Sequence, residues 1–168
     1  VVEVTLRGKA AHSSQPEEGI DAARAVGMLL TSIAEADAAL RRRSRHPLLP
    51  DASLMATVVR AGSAPFMIAA TAEVVVERRT LPGEVAADAL AEVRALVDDV
   101  IARMPGLVAE VQLTHAREAW QADADGTAGE FTSLLGEALV AAGSERPALV
   151  GEPYWMESAL WQAAGVPT

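Results

Sequence analysis

Polar and apolar positions first alternate along this chain with a period of two and then repeat with the spacing of a helix. Val2, Val4 and Leu6 alternate with Glu3, Thr5 and Arg7, which predicts a strand over residues 1 to 8 with one face buried. After a stretch of loop formers, Gly8 to Pro16, the residues Ile20, Ala23, Val26, Leu30, Ile33 and Leu40 fall on one helical face, predicting a long helix that ends near Arg41. Residues 52 to 61 and 71 to 79 read as strands, with Gly62-Ser63-Ala64-Pro65 as a turn between them. Pro82-Gly83-Glu84 announces a second helix carrying Leu90, Val93, Val97, Val100, Ile101 and Met104, and Pro105-Gly106 stops it. Leu107, Ala109, Val111 and Leu113 alternate again as a fourth strand.

The order β-α-β-β-α-β predicts an α+β, ferredoxin-like domain: a four-stranded antiparallel sheet with both helices on one face. The pattern changes after His115. A polar connector leads to a helix through Phe131, Leu134, Leu135, Ala138 and Leu139, closed by Gly143. A short strand at Ala148-Leu149-Val150 and a short helix from Glu157 to Ala164 follow. This rhythm predicts two domains, residues 1–116 and 117–168, the second being part of an α/β unit. The chain opens in mid-strand and ends at 165–168 as a loop entering a further strand, so an excised segment is expected.

Composition narrows the classes. A chain of 168 residues, 51% hydrophobic and 22% charged, is expected to be globular and soluble. Its apolar runs fall short of the roughly 20 residues that cross a membrane. The formal charge of −9 argues against nucleic acid as a partner, because phosphate binding needs clustered cations. With no cysteine there are no disulfides or thiolate sites, which fits a reducing, cytoplasmic setting, and any metal must rest on His, Asp or Glu.

The three histidines are the first candidates for chemistry. His12, in a loop bounded by Gly, Ser and Pro, can be a capping or solvent-facing residue, or can reach a ligand. His46 reads as a solvated loop residue and His115 as structural or exposed. None has the spacing of a zinc site, so this segment by itself is not expected to bind a catalytic metal. The run Arg41-Arg42-Arg43-Ser44-Arg45 reads as a solvated helix end favoured by the helix dipole. Arg78 and Arg79 must point to opposite faces of their strand, so one of them can meet a ligand carboxylate, although either can equally be a surface arginine.

Three motifs resemble a known family. Gly8 to Ala22 (GKAAHSSQPEEGIDA) resembles the opening of the lid domain in the zinc-dependent acetylornithine deacetylase, succinyl-diaminopimelate desuccinylase, aminoacylase and glutamate carboxypeptidase family. Glu77 to Glu84 (ERRTLPGE) resembles that domain's strand-to-helix junction, and Gly151 to Trp155 through Ala163 to Thr168 a later catalytic-domain segment.

The resemblance implies a homodimeric enzyme with two zinc ions and a Glu general base, hydrolysing the amide bond of N-acyl amino acids or small peptides. It implies that none of the zinc ligands lies in this segment. It also implies that His12 enters the partner subunit's site to stabilise an oxyanion, and that Arg79 grips a substrate carboxylate. Two positions depart from the family pattern. Phe66 stands where many members have a substrate-binding Asn, and Met156-Glu157 where Thr-Asp is common, so the pocket is expected to be more apolar. A catalytically silent relative, or a stand-alone ferredoxin-like dimerisation or small-molecule-binding module, are the alternatives. An RNA-binding version is poor, because the four strands carry no aromatic residues to stack bases.

Overall fold

The computed structural model describes residues 1–166 and 168. Its strands are β1 (Val2–Arg7), β2 (Ser53–Ala61), β3 (Thr71–Arg79) and β4 (Val108–Leu113); its helices are α1 (Ala22–Arg43), α2 (Ala86–Arg103), α3 (Thr127–Ala141) and α4 (Ser158–Ala163). The four strands form one antiparallel sheet in the order β2-β3-β1-β4. This is the ferredoxin-like α+β arrangement that the alternation predicts.

Period two decides which face is buried. Val2, Val4 and Leu6 on β1 and Ala72, Val74 and Val76 on β3 share one core with Ala25, Leu29 and Ile33 of α1 and Val93, Val97 and Val100 of α2. Their neighbours Glu3, Thr5 and Arg7 lie on the other, polar face, so a one-residue slip would drive charge into the core. α1 is capped by Asp21, whose carboxylate accepts the Ala23 N–H at 2.9 Å. Gly106, at φ 84, supplies the left-handed turn after α2.

Beyond β4 the pattern reads less well. α3 runs four residues further toward the N-terminus than Phe131, where the expected apolar face began, and buries Ala128 there. Residues 148–150 form no strand, contrary to expectation: Leu149 and Val150 are exposed, and a strand without a neighbour has no ladder to satisfy its backbone. Expected and observed ends differ by a residue or two for β1, α1, β4 and α4. α2 starts later than expected, because residues 82–85 form a turn whose Glu84 has another task. Pro167, in the loop expected to enter a further strand, lies outside the described residues.

Candidate functional site: a histidine loop and an arginine pair at opposite ends of the sheet

Residues 8–20 leave β1 and return to it as a closed loop. Lys9 and Ile20 exchange both backbone hydrogen bonds at 2.9 Å, and Gly8 donates to the Ala70 carbonyl at 2.7 Å. Gly8 is required here, since a Cβ would stand 2.0 Å from the Ile20 carbonyl oxygen. The far part of the loop pairs with residues 66–68: Ser13 donates to Phe66, Ile68 donates to Ala11, both at 2.8 Å, and His12 lies opposite Met67. His12 is exposed on this tip. Its Nδ1 accepts the Ser14 backbone N–H at 3.2 Å and lies 2.8 Å from the Ser14 hydroxyl. A ring that accepts at Nδ1 carries its proton at Nε2 when neutral, so a donor faces away from the loop. Phe66, beside it, is 76% exposed and adopts φ 64.

Arg79 is elsewhere. β3 has nine residues and Met67 precedes it, so at about 3.3 Å per residue His12 and Arg79 are separated by a strand length of roughly 26 Å or more. No single substrate of amino-acid size spans that distance within one chain. Arg79 lies on the open face, half exposed, with its Nε 2.7 Å from Glu77. It lines a cleft of about 1190 Å³ between this end of the sheet and the chain after β4, where Met156 and Trp155 are also found. Glu157 is exposed next to Met156, and its carbonyl accepts the N–H groups of Leu160 and Trp161 at the start of α4. The five candidate residues therefore fall into two groups: His12 with Phe66, and Arg79 with Met156 and its neighbour Glu157.

Arg78 points the other way, as strand alternation requires, and its side chain is only 5% exposed. It donates to both carboxylate oxygens of Glu84, at 2.7 and 3.1 Å, to Glu92 at 3.0 Å, and to the carbonyl of Arg79. Glu84 also accepts the Leu81 N–H at 2.7 Å, and Glu92 pairs with Arg43 from the end of α1. Burial pushes the Glu84 carboxyl up, but hydrogen bonds from Arg78 and Leu81, with the charges of Arg78 and Arg43, bring it below its ordinary value. Burial also works against the Arg78 cation, and the two carboxylates outweigh it, raising its pKa. The sequence reading missed this cluster. An arginine on the buried parity of Val74 and Val76 was its signal.

One further expectation needs correction. His46 is half-buried, and its Nδ1 accepts the N–H groups of Leu48 and Leu49 at 3.2 Å, so it caps a turn. The basic run before it, Arg41 to Arg45, is the exposed helix end that the sequence predicts, with Arg41, Arg43 and Arg45 paired to Asp37, Glu92 and Asp51. His115 is exposed, next to the chain's amino group, which donates to its carbonyl.

Among the described residues no group of three His, Asp or Glu side chains is placed to hold a metal ion. The donor set present does not fit the zinc centre that the resemblance implies. No helix among them is long and apolar enough to cross a membrane.

A four-stranded antiparallel sheet backed by two helices, with a loop imidazole held clear of the core, defines an α+β domain. Residues 2–105 match the peptidase dimerisation domain of the M20 enzymes, and the chain belongs to that family. Solved structures with this fold include a tripeptidase from Staphylococcus aureus (TM-score 0.75, 15% identity, 99% of this chain and 40% of that one). A hydantoinase/carbamoylase-family amidase from Burkholderia multivorans matches with TM-score 0.70 at 15% identity, over 99% of this chain and 37% of its own. A dinuclear metal binding peptidase of the M20 family from Bacillus subtilis matches with TM-score 0.65 at 22% identity, again over 99% and 37%. At these identities the likeness is one of fold, and the chain spans about two fifths of the length of the structures it matches. No curated protein sequence matches it.

Proposed function

We propose that this chain is the lid and dimerisation portion of a metal-dependent amidohydrolase that cleaves the amide bond of N-acyl amino acids or small peptides. In this reading residues 1–116 are the lid domain, residues 117–168 belong to the catalytic domain, and the enzyme is a cytoplasmic homodimer, a setting that the absence of cysteine favours. The observation that carries it is the separation of His12 from Arg79. Two polar groups suited to opposite ends of one substrate stand a sheet length apart, and a two-fold dimer whose sheets run antiparallel would bring one end of each chain to the other end of its partner.

Each residue has a task its geometry allows. Attack on an amide carbonyl places negative charge on oxygen, and the outward Nε2–H of His12 is a donor for it. The Arg79 guanidinium can hold a substrate carboxylate by two parallel hydrogen bonds once it leaves Glu77. Met156 and Glu157 take part in lining that end of the substrate. Among the described residues no cluster of His, Asp or Glu is placed to hold the two zinc ions of such enzymes, so in this reading they, with the general base, rest on other residues of the whole protein.

Two measurements test this directly. Arg79→Ala in the whole enzyme is expected to raise KM for carboxylate substrates by on the order of 10- to 100-fold with a smaller change in kcat; an unchanged KM removes the clamp. The 168-residue chain alone is expected to hydrolyse no N-acyl amino acid and to retain no zinc after dialysis, and stoichiometric zinc by elemental analysis would contradict the assignment of the ligands elsewhere. A catalytically silent dimerisation module is the second reading, favoured by Phe66 and Met156 where polar groups are common. Amide hydrolysis by the zinc-loaded whole protein separates the two.

A further inference from the structure

The tip that carries His12 also carries the most exposed large apolar ring of the sheet domain, in a backbone conformation that suits it badly. Phe66 sits at φ 64, the left-handed region that Gly and Asn enter easily and bulky residues rarely adopt. The conformation is held by its surroundings: its carbonyl accepts the Ser13 N–H, Ile68 donates to Ala11, and the Ile68 side chain packs so closely on Gly19 that a Cβ there would approach within 2.8 Å. Neither the strain nor the exposure is offset inside the chain, since the ring is 76% exposed and Met67 beside it is 45% exposed. Apolar surface of this kind, rigidly mounted beside a polar group, marks a contact made outside the chain.

Resting on the functional reading above, we infer that Phe66 and Met67 form an apolar wall that travels with His12 into the partner subunit's site and selects substrates with a large apolar acyl group. The donor at Nε2 addresses the oxygen of the scissile carbonyl. Arg79 engages the carboxylate on the amine side of that carbonyl, which leaves the acyl side to the ring on the same two-stranded tip as His12. An acetyl group leaves such a wall mostly uncovered, while a benzoyl or medium-chain acyl group buries it.

The test compares kcat/KM for the N-acetyl and N-benzoyl derivatives of one amino acid, using the whole zinc-loaded protein and its Phe66→Asn variant, with Tm and sedimentation recorded for both. The wild-type protein is expected to prefer the benzoyl substrate by roughly 10- to 100-fold, the scale of discrimination by an apolar pocket. In Phe66→Asn that ratio is expected to fall toward one, while Tm stays equal or rises because Asn relieves the left-handed strain. A wild-type preference for acetyl, or an unchanged ratio in the variant, overturns the inference and leaves the amidohydrolase reading standing. So does a variant that keeps the ratio but loses the dimer, which would make the ring an interface residue. No hydrolysis of any N-acyl amino acid by the wild-type protein sinks the functional reading itself, and this inference with it.

Discussion

His12→Ala in the whole enzyme is expected to lower kcat by about 100-fold or more with the dimer intact, the effect of removing one donor to an oxyanion. The expectation follows from the loop's construction. Ser14 occupies Nδ1, so the proton sits on Nε2, and the loop itself is locked by the Lys9–Ile20 pair and by its pairing with residues 66–68. The side chain is exposed and supports no core residue, so its removal should leave folding untouched. Mixed dimers show whether it acts across subunits. One subunit carries His12→Ala and the other Arg79→Ala; if each site takes Arg79 from one chain and His12 from the other, one site of the two remains whole. About half of the wild-type kcat/KM is then expected in the mixed dimer, against near-complete loss in either parent. A mixed dimer as poor as its parents would mean that no site takes Arg79 from one chain and His12 from the other.

Much of the sheet domain was legible because its signals are local. Alternation in Val2 to Arg7 predicts that strand and its buried face, and strand geometry over Thr71 to Arg79 predicts that Arg78 and Arg79 diverge. Helix stops worked where a glycine could take positive φ, as at Gly106. What could not be read was convergence between distant positions. Glu84, Glu92 and Arg43 come from a turn and two helices, and nothing in their spacing announces that they meet around Arg78. Glu84 shows the consequence: read as the acidic start of α2, it proves to be the carboxylate that holds Arg78 and the Leu81 N–H. The triplet 148–150 fails for a related reason, since β-propensity is fulfilled only where a neighbouring strand exists. The two groups of candidate residues were named from the sequence, but their separation by the length of β3 required the fold.

Replacing Arg78 is expected to destabilise the domain strongly. Arg78→Met keeps the length of the side chain and removes every donor, leaving Glu84 and Glu92 partly buried without their cation. Breaking a buried pair from one side costs about 3–5 kcal/mol, and the lower end applies because both carboxylates keep about a third of their surface in water. Arg78→Lys should recover only part of this, because an ammonium cannot serve Glu84, Glu92 and the Arg79 carbonyl together in the plane of a fork. The cluster also sets a pH dependence. Glu84 has a lower pKa folded than unfolded, so the unfolded chain takes up a proton first as pH falls. Its stabilisation is complete above the unfolded glutamate value, declines from about pH 5 downward, and is gone below the folded value. Urea unfolding between pH 7 and pH 3 should therefore show a fall in midpoint for the wild-type chain that is smaller in Arg78→Met, whose Glu84 has lost the cation that lowered it. Equal midpoints for the two proteins at pH 7 would mean that the cluster's desolvation cancels its attraction and that the turn leading into α2 is held without Arg78, by the hydrogen bonds between Leu81 and Glu84 and by packing.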